Sequence, residues 1–216
     1  MIDAAALLEL AHWRGVVSRL YADIRSASET SPATAWEGFR AGRDALFKSH
    51  PQSPLDHAQK KRFGGLDYFP YNPRLRFRVP VKPLPESTQR NLVVMELDEG
   101  RLGYRPFATA AFDEGQLTLF WMEGYGGGLF LPFRDVTNSR ETYGGGRYLY
   151  DTVKGADLGA GQGEIVLDFN FAYNPSCAYS PRWVCPLSPP QNSLAFRVEA
   201  GERAFSDGRD SRHAFP

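Results

Sequence analysis

Gly103-Tyr-Arg-Pro-Phe-Ala-Thr-Ala-Ala-Phe112, Asp113-Glu-Gly115 and Gln116-Leu-Thr-Leu-Phe-Trp121 decide the fold. Two runs rich in aromatic and β-branched residues flank a short polar break ending in glycine. Glycine tolerates the positive φ of a tight turn, so the stretch reads as a β-hairpin. The same pattern of short apolar runs punctuated by Gly, Pro, Asn and Asp continues from Gly65 onward. It predicts strands over 75–81, 92–97, 103–112, 116–121, 128–133, 147–152, 164–169 and 194–198. No alternation of strand and helix follows Gly65, so a doubly wound nucleotide fold is disfavoured. The expected architecture is mainly β within an α+β class: an antiparallel barrel or sandwich-like sheet preceded by two to three N-terminal helices.

Upstream of the sheet the periodicity changes. Leu10, Trp13, Val17, Leu20 and Ile24 recur at three- and four-residue steps and define one face of an amphipathic helix over 7–24. Thr34 followed by Glu37 resembles a capping box for a second helix reaching about Lys48. Ser53 and Pro54 suit the cap and first turn of a short third helix, and Gly64 suits its left-handed end. The domain reading is a helical lead over 1–64 packed on the sheet, a β domain over 65–205, and a flexible polar tail over 206–216.

The 216 residues carry 25 Lys plus Arg against 25 Asp plus Glu, so no net field favours nucleic acid or an anionic membrane surface. Every apolar run is interrupted well before the roughly 20 residues that cross a bilayer. Residues 1–14 lack the order of a signal peptide, and the expected compartment is the cytoplasm. Cys177 and Cys185 are too few for a disulfide framework, and their seven-residue separation matches no common zinc spacing. No metal site is expected, and buried inert thiols are the favoured reading of the pair.

Polar side chains concentrate between Arg134 and Asn174. If a period of two persists through Val166-Leu-Asp-Phe-Asn170, Asp168 and Asn170 share a polar face. Gly145 and Gly146 before Arg147 suit an anion nest backed by a guanidinium fork. The alternative is a turn in which Arg147 pairs with Asp168 or Glu141. Glu141 and Asp168 are candidate acid and base, and Tyr143 a candidate proton donor. Arg147, Gly145, Gly146, Asn170, Tyr173, Asn174 and Tyr179 are candidate ligand-binding residues for a small polar or anionic molecule. A second reading makes the same cluster a hydrogen-bond knot that stabilises loops in a non-catalytic interaction module. Glu123-Gly-Tyr-Gly-Gly-Gly-Leu-Phe-Leu131 echoes Glu141-Thr-Tyr-Gly-Gly-Gly-Arg-Tyr-Leu149, which suggests two equivalent sheet corners.

A set of motifs runs through the chain: His50-Pro-Gln-Ser-Pro-Leu55, Tyr68-Phe-Pro70, Glu141-Thr-Tyr-Gly-Gly-Gly-Arg-Tyr-Leu149, Asp168-Phe-Asn-Phe-Ala-Tyr-Asn-Pro-Ser-Cys-Ala-Tyr179 and Cys185-Pro186. Over residues 36–202 the chain resembles domain of unknown function family 1684. The resemblance implies a prokaryotic protein of undetermined activity. It carries over no catalytic residue, and the cofactor is left unknown.

Overall fold

The computed structural model describes residues 3–27, 30–97 and 100–206. Three helices lead, α1 (Ala4–Ala27), α2 (Pro32–Ser49) and α3 (His57–Arg62). The sheet is built from β1 (Arg76–Pro83), β2 (Val93–Leu97), β3 (Gly100–Phe112), β4 (Gly115–Met122), β5 (Gly128–Phe133), β6 (Arg147–Asp151), β7 (Ala160–Gly161) and β8 (Glu164–Asp168). A single-turn helix, α4 (Glu86–Gln89), joins β1 to β2. The strands lie in the order β6-β5-β4-β3-β1-β8-β7, with β2 added on β3, and every ladder is antiparallel. The sheet curls into a half-barrel. Register shifts sit between Pro106 and Ala108 and between Leu131 and Pro132, where proline has no ladder N–H to give.

Burial follows the pleat in β3, where Tyr104, Pro106, Ala108 and Ala110 are buried and their neighbours are not. In β5 and β6 both faces are buried, because each lies between two apolar clusters. The larger joins the helices to the sheet, with Phe39 edge-on to Phe171 and Phe169 in contact with Phe77, Phe112 and Phe133. The smaller holds Tyr104, Phe120, Met122, Phe130 and Tyr148 on the opposite face.

The expected class is the observed one, and local details differ. The 112–115 hairpin turns on Asp113-Glu114, with Phe112 paired to Gly115. Gly115 has no positive φ; a Cβ there would come within 2.9 Å of Leu194. Helix α2 starts at Pro32 behind Ser31, so Thr34 lies inside it. The reciprocal capping box belongs to α3, formed by Asp56 and Gln59. Ser53 instead donates to the Phe47 carbonyl, and Phe63, not Gly64, caps the helix end. The glycine triplets open β5 and β6 at opposite ends of an antiparallel pair, so the corners are not equivalent. A polar tail was expected over 206–216, and residues 207–216 lie outside the described residues.

Residues 194–198 form no strand: Asn192, Leu194 and Phe196 exchange backbone hydrogen bonds with Arg134 and Val136 around a short parallel bridge, and a buried ion pair takes over at residue 198. Arg147 and Asp135 have fully buried side chains and meet at 3.1 Å. Arg147 Nη2 also donates to the Val198 carbonyl at 3.1 Å, while Nη1 donates to the carbonyls of Ala200 at 2.5 Å and Glu202 at 3.3 Å. Asp135 Oδ2 accepts the backbone N–H of Val198 at 2.8 Å. Past the backbone bonds to Arg134 and Val136, the Arg147 side chain takes the carbonyls of residues 198, 200 and 202. Burial alone would lower the guanidinium's proton affinity, and Asp135 opposes that. Removing one partner strands the other charge without water, which costs about 3–5 kcal/mol. Arg147→Ala is therefore expected to lose stability of that order in urea denaturation, beyond an ordinary surface arginine.

Candidate functional site

One chamber opens between the helices and the end of β6, with a volume of about 70 Å³. Trp13, Val17 and Tyr21 reach it from α1, Arg43 and Phe47 from α2, and Tyr148 and Asp151 from β6. The segment after β8 closes it with Tyr173, Asn174 and Tyr179. The amphipathic face read from the sequence of α1 thus supplies a wall, and Tyr21 puts a hydroxyl into it. Strand β6 ends at Asp151, and Lys154 three residues later folds back to meet its Oδ2 at 3.1 Å.

The wall is held by a second buried charge pair. Glu202 Oε2 accepts from Arg43 Nη2 at 2.8 Å and from the backbone N–H of Asn174 at 3.1 Å, while Oε1 accepts the Tyr179 hydroxyl. Arg43 Nε donates to the Tyr68 hydroxyl at 3.0 Å, and its guanidinium stacks over Phe47 and Tyr173. Burial pushes the Glu202 carboxyl up, and Arg43, the Tyr179 hydroxyl and the Asn174 N–H pull it back. The Tyr21 hydroxyl is pushed up by burial and stays protonated.

Three polar atoms of the chamber residues have no protein partner: Tyr21 Oη, Asp151 Oδ1 and Asn174 Oδ1. Each is buried, so each carries a desolvation cost unless something else fills the space. A larger cleft of about 440 Å³ borders on the same Asp151 and Lys154, and Arg14, Arg182 and Trp183 line it. The pairing of the two cavities gives an acceptor-rich inner end and a cationic outer end.

The matching family model, Protein of unknown function (DUF1684), covers residues 61–203. The chain belongs to the DUF1684 family. The solution NMR structure of an uncharacterized protein of Haloarcula marismortui is similar, at 35% identity over 82% of this chain and 95% of that one, with a TM-score of 0.56. No protein of curated function matches. Among the described residues no helix is long and apolar enough to cross a membrane, and no three metal-ligating side chains gather.

In this DUF1684 protein the residues singled out from the sequence separate into distinct places. Asn174, Tyr173 and Tyr179 line the chamber. Arg147 points into the interior and pairs with Asp135 rather than with Asp168 or Glu141. Gly145 and Gly146 form the turn before it, where a Cβ on Gly146 would come within 2.6 Å of the Phe133 carbonyl oxygen. Glu141 sits at the surface, held by Arg197 at 2.7 and 2.9 Å, which keeps its carboxyl below the ordinary range. Asp168 lies in the core beside Arg76, and it shares no partner with Glu141. Tyr143 donates to Cys177 Sγ at 3.5 Å. Asn170 has left the strand, because 169–171 is a 3₁₀ turn; its side chain bonds both backbone groups of Asn72 and Asp168 Oδ1.

Tyr21, Arg43, Asp151, Lys154 and Glu202 were not among the expected site residues. The available signal was a hydroxyl and a guanidinium on otherwise apolar helical faces.

Burial pushes the Asp168 carboxyl up to about 6, against the two bonds from Asn170 and the Arg76 charge. The native state therefore holds the proton more tightly than the unfolded chain. That stability is full below about pH 4 and is lost as pH rises through about 6. Asp168→Asn is accordingly expected to destabilise more at pH 4 than at pH 7, by up to about 3 kcal/mol, in paired urea titrations.

Proposed function

We propose that this protein binds a small polar molecule, with its hydroxyl or amino groups in the inner chamber and an acidic group toward the outer cleft. The supporting observation is the trio of unpartnered atoms on Tyr21, Asp151 and Asn174, gathered at one space. Asp151 Oδ1 and Asn174 Oδ1 accept only, so they favour a ligand that donates. Aromatic walls from Trp13, Phe47, Tyr148 and Tyr173 suit the apolar faces of a sugar-like or ring-bearing skeleton. Lys154, Arg14 and Arg182 in the adjoining cleft favour a carboxylate or phosphate there. Arg147, Asn170 and Asp168 serve as scaffold in this reading, since their bonds go to backbone, to one another and to the side chains of Asp135 and Arg76. Catalysis by Glu141 and Asp168 has no comparable support.

Native mass spectrometry of the protein from its own cells, beside the denatured mass, tests the proposal with Tyr21→Phe as the control. Tyr21 Oη makes no protein bond, so the variant is expected to keep its melting temperature while affinity falls about three- to tenfold, one hydrogen bond's worth. A bare native mass, with no saturable binding among polyols, hydroxy acids and their phosphates, would overturn it. Retained affinity in Tyr21→Phe would move the ligand out of the chamber.

A further inference from the structure

The motif His50-Pro-Gln-Ser-Pro-Leu55 forms the turn that ends α2, and its histidine reaches across to α1. His50 is 8% exposed and held by its own backbone. Its N–H donates to the Leu46 carbonyl at 3.0 Å, and its carbonyl accepts the Ser53 N–H at 3.1 Å and the Lys60 ammonium at 2.8 Å. The ring is fixed as well. Its Nδ1 accepts the Gln52 backbone N–H at 3.1 Å, and its Nε2 lies 3.0 Å from Nδ1 of His12, with the two rings 9° from parallel.

These bonds decide where the protons sit. An Nδ1 that accepts from an amide carries no proton, so the neutral His50 ring is protonated at Nε2 and donates to the bare Nδ1 of His12. One further proton breaks the pattern wherever it lands. On His50 Nδ1 it faces the Gln52 N–H. On His12 Nδ1 it faces the His50 Nε2–H, and a change of tautomer in His50 only moves the conflict to Gln52. Each placement forfeits one of the two bonds. A protonated Nε2 also has no lone pair for a metal ion. His12 is exposed, so solvent reaches the pair. Burial and the facing His12 lower the proton affinity of His50; Glu9, one turn before His12, raises it, and Lys60 of α3 lowers it. Arg182 faces Lys60 from loop 175–186, where it donates to the Ser53 carbonyl at 3.0 Å.

The pair holds the first half of α1. Only Tyr21 and Ile24 of that helix are buried, both in its second half, where Arg25 also donates to the Asp157 carbonyl. The first half rests on the apolar contacts of Trp13 and Val17, on the histidine pair, and on two long bonds of 3.4 Å from Gln52 Nε2 to the Ala6 carbonyl and Glu9 Oε2. Trp13 itself stands edge-on to His50, with centroids 5.2 Å apart. Trp13 and Val17 are chamber wall, and Arg14 between them lines the outer cleft.

We propose that His12 and His50 form a proton-operated clasp: the neutral pair holds the first half of α1 over the chamber, and a proton on either ring releases that half and opens the chamber. Acid release of a bound molecule is a consequence that rests on the function proposed above; release of the helix does not depend on it. The held His50 ring takes a proton less readily than a released histidine. The clasp is therefore complete above about pH 6.5 and loosens as pH falls below it, the opening constant rising up to about tenfold per pH unit for each proton taken up.

The test is hydrogen exchange of the full, ligand-free chain at about pH 7.5 and about pH 5.5, on either side of the ordinary histidine value, with each rate corrected for intrinsic exchange. Amides of residues 7–17 are expected to lose about tenfold in protection at the lower pH while the β4 amides keep theirs. His12→Ala, at an exposed position and with better helix propensity, is expected to show the lowered protection already at the higher pH and no further step. Equal protection at both pH values, an equal loss in β4, or a step that persists in His12→Ala would overturn the clasp. Imidazole nitrogen spectra of the unmodified chain at the higher pH give a second measurement. His50 is expected as the Nε2–H tautomer, and an Nδ1–H ring would overturn the proposal. If the helix releases in acid and no molecule ever binds, the clasp stands and the binding function falls; a helix that stays closed in acid, in a protein that does bind, gives the reverse.

Discussion

The Arg147 guanidinium, closed off from water against Asp135, is the interaction on which the other contacts converge. A buried ion pair is weak evidence for stability on its own, because desolvating two charges offsets most of their attraction. What it contributes here is placement. Five of its seven bonds go to backbone: the carbonyls of residues 198, 200 and 202 and the N–H groups of Val198 and Thr137. The stretch 198–202, which belongs to no strand, is thereby fixed across the sheet. Apolar replacements of similar volume would pack the space and lose that placement.

The fixed segment carries Glu202, and from it the order passes to the chamber. The Glu202 carboxylate gathers Arg43 from α2, the Tyr179 hydroxyl and the Asn174 N–H, so three separate parts of the chain meet at one buried charge. The bonds of that charge use none of the three remaining polar atoms of the chamber. Tyr21, Asp151 and Asn174 are therefore the places where the fold leaves hydrogen-bonding capacity open. Protein interiors usually satisfy such groups, and sites that do not are where ligands or ordered waters belong.

The sheet was legible because its signals are local. The limits of β5 coincide with its expected run, and the break at Asp113-Glu114 sits between two apolar runs as a hairpin requires. The first error has a local cause. Ser53-Pro54 and Asp56 each offer a start for α3, and Asp56 prevails because Gln59 returns its bond. The larger errors are non-local. Residues 194–198 have the composition of a strand, but their backbone partners are Arg134 and Val136 beside a single parallel bridge, and the Val198 carbonyl goes to Arg147, 51 residues away in sequence. Asn170 was assigned to a strand face by a period of two that stops at Asp168, where the carboxylate accepts the Asn170 N–H and turns the chain. The chamber was half-visible: Tyr173 and Asn174 came from the densest polar segment and Tyr179 from the motif that runs on from it, whereas Tyr21 and Arg43 are single polar groups on helices that otherwise read as core.

Hydrogen exchange at the backbone amides of Val198 and Glu202, compared with the amides of β4, tests most directly whether the buried ion pair holds the stretch 198–202. The Val198 N–H is bonded to Asp135 and the Glu202 N–H to the Ala172 carbonyl. Exchange at both is predicted to need global unfolding and to share the free energy of opening of the β4 amides. Fast exchange at 198 and 202 while β4 stays protected would contradict the account, because the segment would then open independently and the chamber wall would have no fixed anchor.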